Sequence, residues 1–299
     1  MQGEKNMYKL VAIDLDGTML NSYGIVTQNT KEKIKKVIQK GTKVVIASGR
    51  PIDSIKAIAE EIGSKEYFIG GNGAIIYDIK KDEIIYEKFL NKQKVLEIID
   101  LCEENSINYN VYTEKTILAK NLKFNVLYYY KENLKKPENK KTNIVIVENM
   151  KEYIKNLKEE KFLKVTICDE NKFIFNAIGK KLKEISGIEI LDVLHMSRKL
   201  IKQGTQDIVI EYFYTEISLE NVDKWIAIQE ILKLEKIEKD EVITIGDNIN
   251  DLKMLKNAGL GIAMKGSAPK VIENANYVTQ GNNEEGVANA LEKYILKDI

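Results

Sequence analysis

Three short runs rich in Val and Ile, far apart in the chain, break off abruptly into polar residues. This recurrence limits the fold more than any other feature of the sequence. "YKLVAID" stops at Asp14 and continues through Asp16, Gly17 and Thr18. "TKVVIASGR" stops at Ser48, Gly49 and Arg50, and "DEVITIGDNIND" stops at Gly246, Asp247, Asn250 and Asp251. None alternates strictly between apolar and polar residues, so each reads as a strand covered on both faces, as in a parallel sheet. Helical patterns accompany them. "TQNTKEKIKKVIQKG" has Thr27 or Asn29 as its N-cap and Gly41 as its stop, "PIDSIKAIAEEIG" runs from Pro51 to Gly63, and "KWIAIQEILKLEK" precedes the third run. Strand and helix in alternation predict an α/β fold with a Rossmann-like, doubly wound parallel sheet. Ligands of such sheets bind beyond the carboxyl ends of the strands, where all three polar clusters fall.

The middle of the chain is different. "GAIIYDIKKDEIIYEKF" alternates and turns near Lys80 to Asp82, which predicts a hairpin. Beyond it come further helices (92–105, 149–160, 171–185) and strands (within 109–119, 143–147, 163–168 and 207–213), with a loop at "KENLKKPENKKTN". These predict a second α/β domain inserted into the first: a core of residues 1–83 and 212–299, and an inserted cap of 84–211.

Composition narrows the function classes. Lys and Arg number 46 against 45 Asp and Glu, a net charge of +1, so nothing global points to nucleic acid or to a membrane surface. No apolar run approaches the ~18–20 residues of a membrane span, and "MQGEKN" lacks the apolar stretch of a signal peptide. Cys102 and Cys168 have no metal-type spacing and read as reduced core thiols, which places the chain in the cytoplasm. The single histidine, His195, argues against chemistry built on a histidine base.

Residues two apart in a strand point the same way. At a strand end followed by glycine, Asp14 and Asp16 can therefore line one pocket. Joined by Asp247, they form a set of hard oxygen ligands suited to Mg²⁺, and the ion would offset the cost of clustered charge. Ser48 and a lysine would complete an electrostatic clamp for a phosphoryl group. In such a site one carboxylate can act as nucleophile and a second carboxyl as general acid, then base. Each cluster alone is also consistent with a turn or a helix cap; their joint placement at three strand ends is what favours chemistry.

"DLDGT", "ASGRP", "NGA", the lysine of "NVDKWIAI" and "GDNINDLKML", in this order, resemble the haloacid dehalogenase superfamily, in its Cof-type sugar-phosphatase branch with a C2-type (IIB) cap. The resemblance implies Asp14 as nucleophile, Asp16 as general acid/base and Ser48 and Lys224 as further catalytic residues. It implies Asp14, Asp16 (through its backbone carbonyl), Asp247 and Asp251 around Mg²⁺. Gly17, Thr18, Gly49, Arg50, Asn72 and Asn250 would form the phosphate or substrate surroundings. Two positions depart from the family pattern: Trp225 stands where glycine often follows the lysine, and Lys265-Gly266-Ser267 stands where Gly-Asn-Ala is frequent. The activity implied is Mg²⁺-dependent hydrolysis of small phosphorylated metabolites. A phosphomutase, or a non-enzymatic protein that takes a phosphoryl on aspartate or binds a metabolite, shares parts of this pattern. The second acid and the large insert weigh against a receiver-type switch.

Overall fold

The structure, a computed structural model, describes residues 8–134, 137–138, 141–158, 161–191, 196–203 and 206–297. His195 lies outside them. The chain divides into two compact units. The first comprises Met1–Arg50, Ile55–Glu87 and Val222–Ile299, and the second Pro51–Ser54 and Lys88–Asn221.

The first unit is built on an eight-stranded sheet. Its strands are β1 (Leu10–Ile13), β2 (Lys43–Ala47), β3 (Tyr67–Gly70), β4 (Ile75–Asp78), β5 (Glu83–Glu87), β13 (Val242–Gly246), β14 (Leu260–Met264) and β15 (Tyr277–Thr279). Their order is β15-β14-β13-β1-β2-β3-β4-β5. All neighbours are parallel from β15 to β3, and the hairpin β4–β5 adds two antiparallel strands. Asp82 makes the hairpin turn with φ 60°. Every residue of β1 and β13 is buried, the expected state of strands covered by helices on both faces.

The helices of this unit are α1 (Gln28–Gln39), α2 (Ile52–Ile62) from Ile55 onward, α7 (Lys224–Glu235), α8 (Leu252–Asn257), α9 (Pro269–Ile272) and α10 (Gly286–Leu291). Of the two candidate caps for α1, Thr27 is the one used: its side chain accepts from Thr30 N. Trp225 is buried in the cluster of Leu10, Ala12, Ile69, Ile228 and Ile231, so its ring packs against the sheet and α7 still begins at Lys224. Gly266 takes φ +92° with open space around it.

Register sets up the site. Ile13 pairs with Ile46 on one side and Ile245 on the other. The residues that follow, Asp14, Ala47–Ser48 and Gly246–Asp247, therefore leave the sheet at one level. Because β1 lies between β2 and β13, the sheet grows from it in both directions, and such a switch point opens a crevice at the carboxyl edge.

The second unit has strands β6 (Asn108–Thr113), β7 (Thr116–Ala119), β8 (Asn143–Ile146), β9 (Phe162–Asp169), β10 (Ile188–Ile190), β11 (Met196–Gln203) and β12 (Gln206–Leu219). They form a sheet in the order β10-β12-β9-β6-β7-β8, with β11 also paired to β12. Helices α3 (Lys92–Glu104), α5 (Met150–Asn156) and α6 (Lys172–Leu182) bury Ile98, Ile99, Met150 and Phe175 in one cluster with Tyr109, Val111, Val165 and Ile167 of the sheet. The opposite side chains of the same strands are polar. Lys164 donates to Glu216 at 2.6 Å and lies over the Tyr112 ring, while α4 (Phe124–Asn133) supplies Asn125 to Asn110 and to the Tyr112 hydroxyl. α4 has no counterpart in the sequence reading. The insert also runs on to Asn221 rather than 211, because β12 continues unbroken to Leu219. Cys102 and Cys168 are both buried and neither is in a disulfide. Among the described residues no helix is long and apolar enough to cross a membrane.

Candidate active site

At the carboxyl edge of β1 and β13, one lysine joins two acids. Lys224 is the first residue of α7, placed there by Asp223, whose side chain caps the helix by accepting from Ile226 N at 2.8 Å. Its ammonium reaches Asp14 Oδ1 at 2.5 Å and Asp251 Oδ1 at 2.6 Å. Lys224 and Asp251 are fully buried and Asp14 nearly so. Burial opposes the charged form of Lys224, but Asp14 and Asp251 outweigh it and hold its pKa above the usual lysine value.

Asp251 turns its other oxygen back on its own loop. Oδ2 accepts from the backbone N–H of Asp247 and of Asn248, each at 3.0 Å. It thus shapes the 3₁₀ turn Ile249–Asp251 while anchoring Lys224. Asp247 is held by Thr18, whose hydroxyl donates to its Oδ1 at 2.7 Å. Gly17 fits between them at φ +88°, and a Cβ there would lie 2.4 Å from Asp247 Oδ2. Thr18 and Gly17, read in the sequence as phosphate surroundings, are thus placed against Asp247.

Carboxylate oxygens of Asp14, Asp247 and Asp251 all lie within 4.8 Å of one another. Three carboxyl groups face the single charge of Lys224. Burial, and after it the opposing pull of Lys224 and the repulsion from Asp251 and Asp16, leave the Asp14 carboxyl pushed up to about 7. Burial and the carboxylates of Asp14 and Asp251 raise Asp247 as well, against the hydroxyl of Thr18. The second oxygens of Asp14 and Asp247 accept no hydrogen bond from the described residues. Hard oxygens, more acids than cations and two open acceptors fit a divalent cation of the Mg²⁺ type, which would be held between Asp14 and Asp247.

The carboxylate of Asp16 is not part of this group. It is 46% exposed and is gripped by Arg50, with Nε to Oδ2 at 2.8 Å and Nη2 to Oδ1 at 2.6 Å. Arg50 is itself nearly buried, and its backbone N–H donates to Ser48 Oγ at 3.2 Å. Gly49 lies between them, so the acid two residues after Asp14 is tied to the turn that follows β2. Asn72 and Asn250 meet side chain to side chain, Asn250 Nδ2 donating to Asn72 Oδ1 at 3.1 Å. Sequence reasoning missed two supports: Asp223, and the pairing of Asp251 with Lys224. An aspartate directly before an apolar helical pattern was the available signal for the first; nothing in the sequence marks the second.

A doubly wound sheet whose central strands deliver a lysine-bridged set of carboxylates to one edge is the frame of an α/β protein that binds its ligand at that edge. The sequence profile of the haloacid dehalogenase-like hydrolases matches residues 11–291, and the chain belongs to that family. Among curated relatives it is 28% identical to Bacillus subtilis YxeH, over 97% of this chain and 99% of that one. It is also 28% identical to the B. subtilis 5-amino-6-(5-phospho-D-ribitylamino)uracil phosphatase YitU, over 95% and 97%. Among solved structures, the subclass IIB sugar phosphatase BT4131 superposes with a TM-score of 0.74 at 21% identity, covering 96% of this chain and 98% of that one.

Proposed function

We propose that the chain is a Mg²⁺-dependent phosphatase of small phosphorylated metabolites, sugar phosphates foremost, working through an aspartyl-phosphate on Asp14. The observation that carries this reading is the buried Lys224 bridge. It orients Asp14 by one oxygen and leaves the other open for attack on phosphorus. A bound Mg²⁺ would neutralise charge on the transferring phosphoryl oxygens. In the first step the free oxygen of Asp14 bonds to phosphorus as the ester P–O bond breaks, and Asp16 gives a proton to the departing oxygen. In the second, Asp16 takes a proton from water, the water oxygen bonds to phosphorus, and the bond to Asp14 breaks to release inorganic phosphate. Ser48, buried beside Arg50, is suited to donate to the transferring group. Relatives named as phosphatases support the reaction class, among them one acting on a phosphorylated ribitylamino compound.

The test is phosphate release from a panel of phosphorylated metabolites by purified protein with Mg²⁺, alongside Asp14→Asn. Turnover in the parent chain and its loss in the folded variant is the expected result. Normal turnover by Asp14→Asn would remove the nucleophile assignment, and silence of the parent chain across the panel would remove the reading itself.

A further inference from the structure

The turn after β3 reads Gly70-Gly71-Asn72-Gly73, and Asn72 is its one residue with a side chain. Its backbone lies in the left-handed region, φ 58° and ψ 32°, a conformation glycine adopts more readily. The neighbouring positions are fixed by close approach. A Cβ at Gly73 would sit 2.1 Å from the carbonyl oxygen of Asp223, the cap that places Lys224. Gly71 N donates to Arg50 O at 3.2 Å and Asn72 N to Ser48 O at 2.9 Å, so the turn is sewn to the loop after β2. Through its side chain Asn72 reaches the other loop: Oδ1 accepts from Asn250, which lies between Asp247 and Asp251. One asparagine therefore spans the loop of Ser48 and the loop that carries the carboxylates.

From this geometry we propose that Asn72 is a positioning residue, not a substrate ligand. By holding Asn250 it sets the place of the acidic turn relative to Ser48, and so the grip of Asp14 and Asp247 on a divalent cation. A short polar side chain is one of the few that tolerates the left-handed backbone, and its Oδ1 is engaged by Asn250. The proposal rests on the phosphatase reading for its meaning but not for its test.

The experiment is a double-mutant cycle read by calorimetric Mg²⁺ binding, with kcat and KM measured in parallel. Asn72→Gly keeps the backbone and removes the amide; it is expected to weaken Mg²⁺ on the order of tenfold, as loss of a group supporting a metal ligand does. Asn250→Ala is expected to weaken Mg²⁺ as well, and the double variant to fall short of the product of the two effects, because both single variants remove the Asn72–Asn250 hydrogen bond. Asn72→Asp keeps both the acceptor and the tolerance of the turn, and is expected to hold Mg²⁺ closer to the parent than Asn72→Gly does. It also serves should Asn72→Gly fail to fold. Effects that multiply in the double variant, or a melting temperature that falls while the Mg²⁺ constant stays fixed, would overturn the proposal. A parent chain that binds Mg²⁺ yet hydrolyses nothing would count against the phosphatase reading alone, and the cycle would still be read.

Discussion

Arg50 meets Asp16 as a fork, two nitrogens to two oxygens at 2.8 and 2.6 Å, with the guanidinium nearly buried and the carboxylate at the surface. Two parallel charge-assisted bonds fix the plane of a carboxylate as well as its distance. A lysine offers a point charge and cannot reproduce the plane. Arg50→Ala and Arg50→Lys are therefore both expected to lower kcat, on the order of tenfold to a hundredfold if orientation of the acid/base is what the pair provides. Mg²⁺ affinity should change little, because Asp16's carboxylate lies outside the metal-type cluster. Full activity in Arg50→Lys would show that charge alone suffices.

The bridge at Lys224 makes a stability prediction. Removing one partner of a fully buried ion pair leaves uncompensated charge and costs about 3–5 kcal/mol. Lys224→Met leaves Asp14 and Asp251 buried with no cation between them. We expect a loss of that order in urea unfolding of metal-free protein and no phosphatase turnover. A stability change within about 0.5 kcal/mol, the range of ordinary surface substitutions, would mean that water or rearrangement already compensates the acids.

The strand ends were readable from sequence because β1, β2 and β13 are buried on both faces, and three continuous apolar runs that each break off into polar residues favour one reading together. The placement of Asp16 was not. Spacing by two puts both acids on one face only while the chain stays extended. Asp16 already lies past Ile13, the last residue of β1, and before the left-handed Gly17, so its carboxylate departs toward Arg50. Nor was α4 readable. "FNVLYYYKEN" has three successive tyrosines and no clear apolar stripe, and Lys123 before it makes no side-chain cap. Much of what holds it is tertiary: Phe124 on the Tyr212 ring, and Asn125 buried against Asn110 and Tyr112.

Proton linkage follows from the carboxylate cluster. Asp14 is raised to about 7 by burial first, so its folded-state value exceeds its unfolded one near ~4. The folded state then binds the proton more tightly, and metal-free protein should be most stable below pH ~4 as far as this group is concerned, losing that contribution as pH rises toward 7. Cation binding needs the carboxylate form. Thermal melts from pH 5 to 8 in EDTA and in Mg²⁺ should therefore diverge as pH rises. A Mg²⁺ increment in melting temperature that is flat across the range would show that Asp14 is already ionised throughout.

Gly17 and Gly41 form a matched pair for testing the Asp247 contact. Both take φ +88°, so an alanine at either meets a similar backbone penalty of about 1–2 kcal/mol. At Gly41 the added methyl meets nothing within 4 Å, whereas at Gly17 it would lie 2.4 Å from Asp247 Oδ2 and 2.8 Å from its Cγ. That clash falls on a carboxylate already tied to Thr18, so Asp247 cannot give way without breaking the 2.7 Å hydrogen bond or leaving the cluster. Gly41→Ala should lower stability and leave Mg²⁺ binding and turnover as they were. Gly17→Ala should lower stability comparably and in addition weaken Mg²⁺ on the order of tenfold or more, the range seen when support of a metal ligand is lost. Equal Mg²⁺ constants for the two variants, measured by calorimetry on folded protein, would show that Asp247 is free to move and is not held at the cation by this contact.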